Sequence, residues 1–407
     1  MRASRIVPFV LLLGAVAILP GCWNSRELKD LAIVLAMGVD RVPESGKFKV
    51  SFQIIDPGTV AAGRAGGGGE GLGVPVTVYS GTGSTLFEAI RQTSEKVPRQ
   101  LFFSQIRLIL IGEPFAREGV SNLFDFFERS HEVRLTTSLL VARDNDAETV
   151  LKVMAPLEKI PADAMFGKLR TASKVWSESL DMQVDAVVNS LVGPGKQLIL
   201  SGVRLKGDPS LGERKANVEH VDPPALFDIE GIGLFRNGKL ETWLEGDTAR
   251  GVLWVDNKVD GTVMTIPCQN KKDATAIEIM RSRTKVRADI RNGDPVFQVT
   301  VKSEGNINEV LCPIDLSKKE TMVRMERELS RQIEREVREA VQVAQSHASD
   351  IFGFGDALNR SRPKAWRKMK NSWSRTFAEC RVEVKAESYI RRSGMRIKPY
   401  TKAEKQR

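Results

Sequence analysis

Histidine and cysteine are scarce in this sequence, with three of the former and four of the latter among 407 residues. Four cysteines over this length cannot form a disulfide-dense scaffold, and three widely separated histidines leave little for a histidine-based metal site. The common catalytic motifs are also missing: no His-Glu-x-x-His zinc motif, no Gly-x-Ser-x-Gly nucleophile elbow and no Gly-Lys-Ser/Thr phosphate loop. We therefore predict a protein that is not an enzyme, with no catalytic residues, no cofactor and no bound metal.

The composition itself is close to that of an average folded protein. Apolar residues make up 42% of the chain and charged residues 28%. Lysine plus arginine number 61 and aspartate plus glutamate 51, so the formal net charge is +10. No nucleic-acid recognition motif accompanies this excess, and we therefore expect no nucleic-acid partner. A basic protein held beside anionic lipid headgroups is the better interpretation.

The amino terminus has the pattern of an export signal. Arg2 and Arg5 form a positive segment before an apolar run of fourteen residues, Ile6 to Leu19. A bilayer core requires about 20 residues of helix, so this run is too short for an ordinary membrane span and fits a signal sequence. We predict that residues 1–21 are a signal peptide.

The apolar run ends in Leu19-Pro20-Gly21-Cys22, which resembles a bacterial lipobox. In a lipobox the cysteine thiolate receives a diacylglyceryl group, a peptidase cuts before the cysteine, and the new amine can be acylated. Two or three acyl chains anchor a protein stably to a membrane. We predict that Cys22 is the lipid-attachment site. An ordinary secretory signal with an incidental cysteine is the alternative.

After Cys22 the sequence has no second apolar run long enough to span a membrane. The longest candidates, such as Leu31–Val39 and Leu108–Ile111, have the length of strands. The sequence therefore predicts a folded body tied to the outer face of a membrane by its amino-terminal lipid.

Residues 22–205 are predicted to form an amino-terminal region of mixed helices and strands, as one unit or two subdomains. Leu31–Val39 and Lys47–Ile55 can pair as a hairpin, and Ser84 or Thr85 can cap a helix that extends to Val97. Strands and helices do not alternate regularly here or later in the chain. The predicted fold class is therefore α+β, with mixed or antiparallel sheets packed by helices, rather than a doubly wound sheet.

Two segments of this half are predicted to be irregular. The tract 61–73 is almost all glycine and alanine, which is typical of a flexible loop. Its glycines formally match a dinucleotide fingerprint, but a strand follows them instead of the helix that would bind the phosphate, and we reject that function. Residues 206–224 are rich in glycine, proline and charge, and we interpret them as a linker between two main regions.

Residues 225–395 are predicted to form a carboxy-terminal α+β domain, followed by a basic tail at 396–407. Asn237-Gly238 and Asn292-Gly293 are strong signals for tight hairpin turns. Ser317 and Glu320 are spaced as a capping box at the start of the longest helix, which extends to about Ser349. Its apolar stripe favours docking on a sheet over a coiled coil; the stripe comprises Met322, Met325, Leu329, Ile333, Val337, Val341 and Ala344.

Three cysteines remain if Cys22 is acylated: Cys268, Cys312 and Cys380. Three is an odd number, so at most one disulfide can form and one thiol is left over. Free, half-buried thiols are the simpler interpretation. Trp366 and Trp373 are seven residues apart, which places them on one face of a helix, and core packing is the favoured role for them.

Four blocks of sequence, in order, resemble the Ger(x)C family, the C-subunit lipoproteins of spore nutrient germinant receptors. The first is Gly21-Cys22-Trp23-Asn24-Ser25-Arg26-Glu27-Leu28-Lys29-Asp30-Leu31-Ala32 with Met37-Gly38-Val39-Asp40; the second runs from Phe103-Ser104-Gln105 to Gly119; the third is Gly231 to Phe235 with Lys239-Leu240, Trp243-Leu244 and Arg250-Gly251; the fourth is Asp350 to Gly355 with Pro363, Trp366 and Trp373. Together they cover nearly the whole chain. Pro20, the glycine-rich tract and the basic tail are particular to this sequence.

The resemblance implies a non-enzymatic receptor subunit in the spore inner membrane. Its implied partners are two integral-membrane proteins, the A and B subunits, and membrane lipid bound through Cys22 on the outer face. Cys22 is the only residue to which the resemblance assigns a role. A solute-binding lipoprotein of a transporter is the rival class and would need two lobes around a cleft. A lipoprotein enzyme acting on the cell wall is a third class, which the absent catalytic motifs disfavour.

Overall fold

A computed structural model describes residues 27–58, 74–129, 133–193, 195–269 and 271–392. The predicted signal peptide, Cys22, the glycine-rich tract and the basic tail lie outside the described residues.

The larger of two sheets has ten strands, with neighbours in the order β10-β9-β8-β6-β5-β1-β2-β3, while β4 pairs with β1 and β7 with β6. The strands are β1 (Leu31–Arg41), β2 (Phe48–Ile55), β3 (Val76–Gly83), β4 (Gln100–Phe102), β5 (Leu108–Gly112), β6 (Ser138–Arg143), β7 (Met182–Gln183), β8 (Ile199–Gly207), β9 (Ala225–Arg236) and β10 (Lys239–Leu244). The central strands β1, β5, β6 and β8 run parallel, and β4 also pairs parallel to β1. Strands β2, β3, β9 and β10 are antiparallel to their neighbours. The sheet is therefore mixed, as the sequence predicts.

Helices cover both faces of this sheet, which is why its central strands are continuous apolar runs. The helices up to this point of the chain are α1 (Leu86–Lys96), α2 (Glu113–Glu118), α3 (Ser121–Arg129), α4 (Ala147–Lys152), α5 (Pro161–Val175), α6 (Val184–Val192) and the single turn α7 (Pro209–Gly212). Residues of α1, α2, α3 and α6 pack on one face around Phe52 and Ile109. Residues of α4 and α5 pack on the other face around Leu108 and Leu140.

Local predictions in this region are confirmed. Strands β1 and β2 pair antiparallel as the expected hairpin. Thr85 is the N-cap of α1, and its hydroxyl accepts a hydrogen bond from the Glu88 N–H at 3.1 Å. The Asn237-Gly238 turn joins β9 to β10, and both residues have positive φ, 51° and 75°, as a tight hairpin turn requires.

Residues 206–224, interpreted from sequence as a linker between two regions, connect two neighbouring strands of one sheet. Strands β8 and β9 on either side of the segment pair antiparallel. Between them the chain forms α7 and a 3-10 turn, Lys215–Val218. Asn217 is buried, and its amide bonds the Met154 carbonyl at 2.9 Å and the Ala225 carbonyl at 3.0 Å. Composition alone suggests a linker here because the segment has no periodic pattern, and its hydrogen bonds come from short turns and from the Asn217 side chain.

The second sheet has four strands in chain order: β11 (Thr262–Cys268), β12 (Lys271–Arg291), β13 (Asp294–Val310) and β14 (Arg381–Arg392). Strands β12 and β13 form a long hairpin around Asn292-Gly293, whose φ angles are 53° and 93°. Strand β14 then pairs parallel to β13. The second predicted turn is thus confirmed.

The remaining helices pack on one face of this sheet. They are α8 (Gly246–Val255), α9 (Lys319–Ser346), α10 (Phe354–Ser361), α11 (Pro363–Met369) and α12 (Trp373–Glu379). The stripe predicted on α9 faces the core, since Leu329, Ile333 and Val337 are fully buried there. The same core includes Ile232 and Leu234 of β9, so the two sheets share it.

Three predictions in this region are wrong in detail: the capping box, the free state of Cys268 and Cys312, and a single helix that contains both Trp366 and Trp373. The capping box does not form, because the Ser317 hydroxyl donates to the Asp315 carboxylate at 2.6 Å and Lys318 caps α9 without a side-chain bond. Cys268 and Cys312 form a disulfide instead of staying free, which leaves Cys380 as the buried free thiol.

Trp366 and Trp373 lie on separate helices, because a 3-10 turn, Lys370–Ser372, interrupts the predicted single helix. Both are nonetheless buried, and their rings contact each other with centroids 5.1 Å apart. Their expected role in the core is confirmed.

Candidate functional site

The predicted site residue, Cys22, lies outside the described residues, which begin at Glu27. Among the described residues, no helix has the length and apolar character needed to cross a membrane. The same part of the chain contains no group of three or more His, Cys, Asp or Glu side chains placed to hold a metal ion. The described residues of the four family-like blocks are therefore the next candidates, and four of their charged members lie in buried clusters: Asp40, Glu113, Arg250 and Asp350.

Asp40, from the first block, ends up at the start of a helix. Its carboxylate is 5% exposed and accepts the N–H groups of Ala147 at 2.8 Å and Glu148 at 3.2 Å. These are free N–H groups of the first turn of α4, where a negative charge is favoured. Burial raises the pKa of Asp40 to about 6. Gly112 of β5 makes the site possible, because a Cβ there would lie 2.0 Å from an Asp40 oxygen.

Glu113, in the second block, links α2 to β6 and β10. It accepts the Asp144 N–H at 2.8 Å, the Arg117 guanidinium at 2.5 Å and the Trp243 indole at 3.3 Å. Burial acts to raise the pKa of Glu113, but these three donors together hold it below its usual value. Trp243 belongs to the third block, so this cluster joins residues 130 positions apart.

Arg250, also in the third block, forms the largest buried ionic cluster described. Its guanidinium makes two bonds to Glu336 of α9, at 3.0 and 2.6 Å, and Glu336 also accepts the Trp254 indole at 2.9 Å. Further bonds reach Glu178 at 3.1 Å and Asp247 at 2.6 Å. Glu336 has no exposed side-chain surface, and burial raises its pKa despite the neighbouring arginine. The cluster fixes α8, α9 and the segment after α5 together.

Asp350, in the fourth block, is enclosed in a turn of its own backbone. One carboxylate oxygen accepts the N–H groups of Phe352 at 3.2 Å and Phe354 at 3.1 Å, while the other accepts Gly355 N–H at 2.7 Å and the Trp373 indole at 3.0 Å. Burial raises the pKa of Asp350 to about 6. The turn requires a glycine at its centre, because Gly353 has a φ of 73°.

The same turn connects the two sheets. The Asp350 carbonyl accepts the Gln197 N–H at 2.7 Å, and the Ser349 hydroxyl donates to the Phe235 carbonyl at 2.5 Å. Gly355 packs closely here, since a Cβ would lie 2.8 Å from the Gly195 Cα. The Asp-Ile-Phe-Gly-Phe-Gly motif is thus a joint between α10 and the loop before β8.

These carboxylates are poor candidates for acid–base chemistry. Each is enclosed and accepts hydrogen bonds from backbone or side-chain donors that hold segments together. Cys380 is similar, because burial raises the pKa of its thiol to about 12 and keeps the thiol protonated. Asp40, Arg250 and Asp350 belong to the family-like blocks, but no role was predicted for them from the sequence, and Glu336 was not predicted at all. The only sequence signal for Glu336 is a charged residue one position before the apolar stripe residue Val337.

Two open grooves flank helix α5. The larger, of about 600 Å³, is lined by residues that include Lys168, Trp176, Lys206, Asp228 and Glu230. Asp228 accepts both lysines at 2.8 Å. The two lysines and Asp228 are therefore already paired with one another. The smaller groove, of about 520 Å³, lies on the other side of α5.

Comparisons with known proteins identify relatives along the whole chain. The model described as "Spore germination protein N-terminal domain" matches residues 24–205, and the one described as "Spore germination B3/ GerAC like, C-terminal" matches residues 230–394. Spore germination protein KC of Bacillus subtilis (strain 168) is 35% identical over 393 residues, which is 96% of each chain. Spore germination protein B3 of the same organism is 26% identical, over 88% of this chain and 90% of its own length.

A solved structure has the same fold. The crystal structure of the GerBC protein matches with a TM-score of 0.54 and 22% identity, over 87% of this chain and 96% of that one. The two family models divide the chain near the segment 206–224, whereas the ten-stranded sheet continues across it.

Proposed function

The chain belongs to the GerAC-like family of spore germination proteins, and from this membership we propose that it is the lipid-anchored C subunit of a germinant receptor. The observation that carries the proposal is the 35% identity to spore germination protein KC over 96% of both chains. In this proposal the subunit is non-enzymatic and acts in receptor assembly or signalling. Its partners are the integral-membrane A and B subunits, and it sits on the outer face of the spore inner membrane.

The architecture of the described residues supports a scaffolding role. The buried charged residues of the family-like blocks are used inside the fold, in joints such as Arg250 with Glu336 and Asp350 with Trp373. The turn at Asp350 also connects the four-stranded sheet to the ten-stranded one, through its bonds to Gln197 and Phe235, which suits a body that moves as a unit. A solute-binding protein would instead need a hinge between lobes.

The receptor role is tested by deleting the gene and measuring spore germination nutrient by nutrient. We expect a selective loss of response to the nutrient that this receptor senses, with normal responses to the others. A normal response to every nutrient, in a strain without a redundant paralogue, would contradict the proposal.

The lipid anchor is tested by Cys22→Ala. We expect the variant to leave the membrane fraction, because without the thiol no diacylglyceryl group can be attached. Cys380→Ala is the matched control, since it removes a cysteine from the folded body and should fractionate like the parent. If Cys22→Ala stays in the membrane fraction as fully as Cys380→Ala does, the anchor assignment is wrong while the receptor role can still hold.

A further inference from the structure

The outer face of the four-stranded sheet carries a row of positive charge. Arg283, Lys285 and Arg287 are exposed at alternate positions of β12, and we name these three residues the basic row. The alternate residues Val286 and Ala288 pack against the core on the opposite face. Because side chains two residues apart on a strand lie about 7 Å from one another, the row is a nearly straight line of charge.

The neighbouring strand does not neutralise this row. The residues directly opposite on β13 are Lys302, Thr300 and Gln298. Within the described part of the chain, none of the three basic-row side chains forms a salt bridge or a hydrogen bond through its charged group. Lys302 itself is paired with Glu387 at 3.0 Å, so that nearby carboxylate is already occupied.

A loop rather than a strand caps the edge of β12 beside the basic row: Asn257 accepts the Thr284 N–H at 2.7 Å, and the Val259 carbonyl accepts the Ser282 hydroxyl at 2.8 Å. Strand β11 pairs with β12 only through residues 271–279, so no described strand lies beside the basic row on that flank. Farther across the same face, Tyr389 of β14 is 43% exposed, with the Arg391 guanidinium 5.6 Å from its ring centre. Tyrosine beside arginine is a pairing that suits the boundary between water and lipid headgroups.

We propose that the basic row docks on a surface of anionic lipid headgroups. Charge complementarity identifies the occupant: unpaired cations on a flat, solvent-facing sheet attract an extended negative surface, and each such residue adds to the attraction. The contact is made by the folded body and does not depend on a lipid at Cys22. It would orient the four-stranded sheet toward the membrane, beyond what the proposed anchor alone provides.

The test uses the chain from residue 22 onward with Cys22→Ser, which contains every described residue and cannot be acylated. Its partitioning is measured on vesicles of phosphatidylcholine with and without phosphatidylglycerol, at low and at physiological salt. We expect binding to the anionic vesicles that weakens with salt. Reversal of the basic row, Arg283→Glu with Lys285→Glu and Arg287→Glu, should weaken this binding by roughly tenfold or more.

A matched control separates the row from net charge. Arg99→Glu with Arg134→Glu and Lys159→Glu makes the same change in charge at exposed positions of the amino-terminal region, and we expect it to keep most of the binding. Arg283→Lys with Arg287→Lys should also bind like the parent. Thermal melts check that every variant is folded.

Three results would overturn the proposal. One is equal binding by the folded row-reversal variant and the parent. Another is an equal loss in the control reversal, which would indicate a general charge effect. The third is a row-reversal variant that binds vesicles like the parent but is no longer captured by the other receptor subunits, which would identify an acidic protein as the partner. All three can occur whether or not the Cys22 anchor or the germination phenotype is found.

Discussion

The two flanks of the four-stranded sheet are treated differently. On one flank, helix α9 covers β14: the side chains of Glu326, Ser330 and Glu334 accept the N–H groups of three alternate β14 residues at 2.9 to 3.0 Å; those N–H donors are Ile390, Ser388 and Ala386. On the other flank, the end of β12 has no neighbouring described strand and carries the basic row. Both devices prevent unwanted strand pairing, but only the β12 flank leaves charge available for a partner.

The two flanks show that some polar side chains hold the fold together, whereas others stay free to contact a partner. On the covered flank, two carboxylates and one hydroxyl at four-residue spacing on α9 accept hydrogen bonds from the sheet edge. Glu336, two residues on, points the other way into the Arg250 cluster. On the β12 flank, the three cations of the basic row face solvent.

Glu336→Ala should lower the free energy of unfolding more than any of the substitutions that follow. It leaves the Arg250 guanidinium buried without its main partner, and removing one member of a buried ion pair costs about 3–5 kcal/mol. Denaturant unfolding of the purified protein measures this. Glu339→Ala on the same helix is the control, with an expected change below about 0.5 kcal/mol. Replacing both partners, as Arg250→Met with Glu336→Leu, should recover part of the stability, and a double variant no better than the single would contradict this view.

Asp350→Asn should change how stability depends on pH. The folded-state pKa of Asp350 is raised to about 6 from 3.8, so between these values the folded protein binds more protons than the unfolded one. The contribution of Asp350 to stability therefore falls as pH rises from about 4 to 6, by roughly 3 kcal/mol. Asn does not titrate, so the stability advantage of the parent over the variant should shrink over this range. An advantage that is constant with pH would show that Asp350 does not titrate there.

Ser330→Ala should loosen the covered edge locally. It removes the acceptor of the Ser388 N–H, and a buried donor left without a partner costs about 1–3 kcal/mol. Hydrogen exchange should accelerate at the amide of Ser388 and at its neighbours on β14. Ser346→Ala, at an exposed position near the end of α9, serves as the control. Unchanged exchange at Ser388 would mean that the helix does not protect this edge.

Lys285→Ala should scarcely affect stability, because an exposed side chain without a partner contributes within about 0.5 kcal/mol. Denaturant unfolding of the variant and the parent measures this change in stability. A loss of stability as large as that of Ser330→Ala would indicate that the basic row of β12 is part of the folded core, and the contrast between the two flanks would fail.

Local patterns predicted much of the fold. The continuous apolar run of β1 and the alternation of β2 correctly gave a hairpin, and Asn237-Gly238 and Asn292-Gly293 correctly gave tight turns, because each depends on neighbours in sequence. The stripe on α9 was also correct. The capping box failed because Asp315, a residue outside the motif, bonds the Ser317 hydroxyl.

The candidate sites were less predictable. Asp40, Arg250 and Asp350 were visible as members of family-like blocks, yet their partners lie far away in sequence: 107 residues separate Asp40 from Ala147, and 86 separate Arg250 from Glu336. The disulfide between Cys268 and Cys312, 44 residues apart, is of the same kind. No periodic pattern encodes such pairs, because they form only when separate elements pack.

Local motifs, composition and turn chemistry are enough to indicate a spore germination family and the order and type of the main elements, and they predict an export signal and a lipobox at Cys22. Packing of the whole chain is what makes residues 206–224 join strands of one sheet, encloses the acids of the family-like blocks in buried joints, and leaves the basic row unpaired. The physical reason is that burial and charge pairing are properties of the packed chain: a carboxylate or an arginine has the same letter in the sequence whether it is enclosed in a joint or faces the solvent.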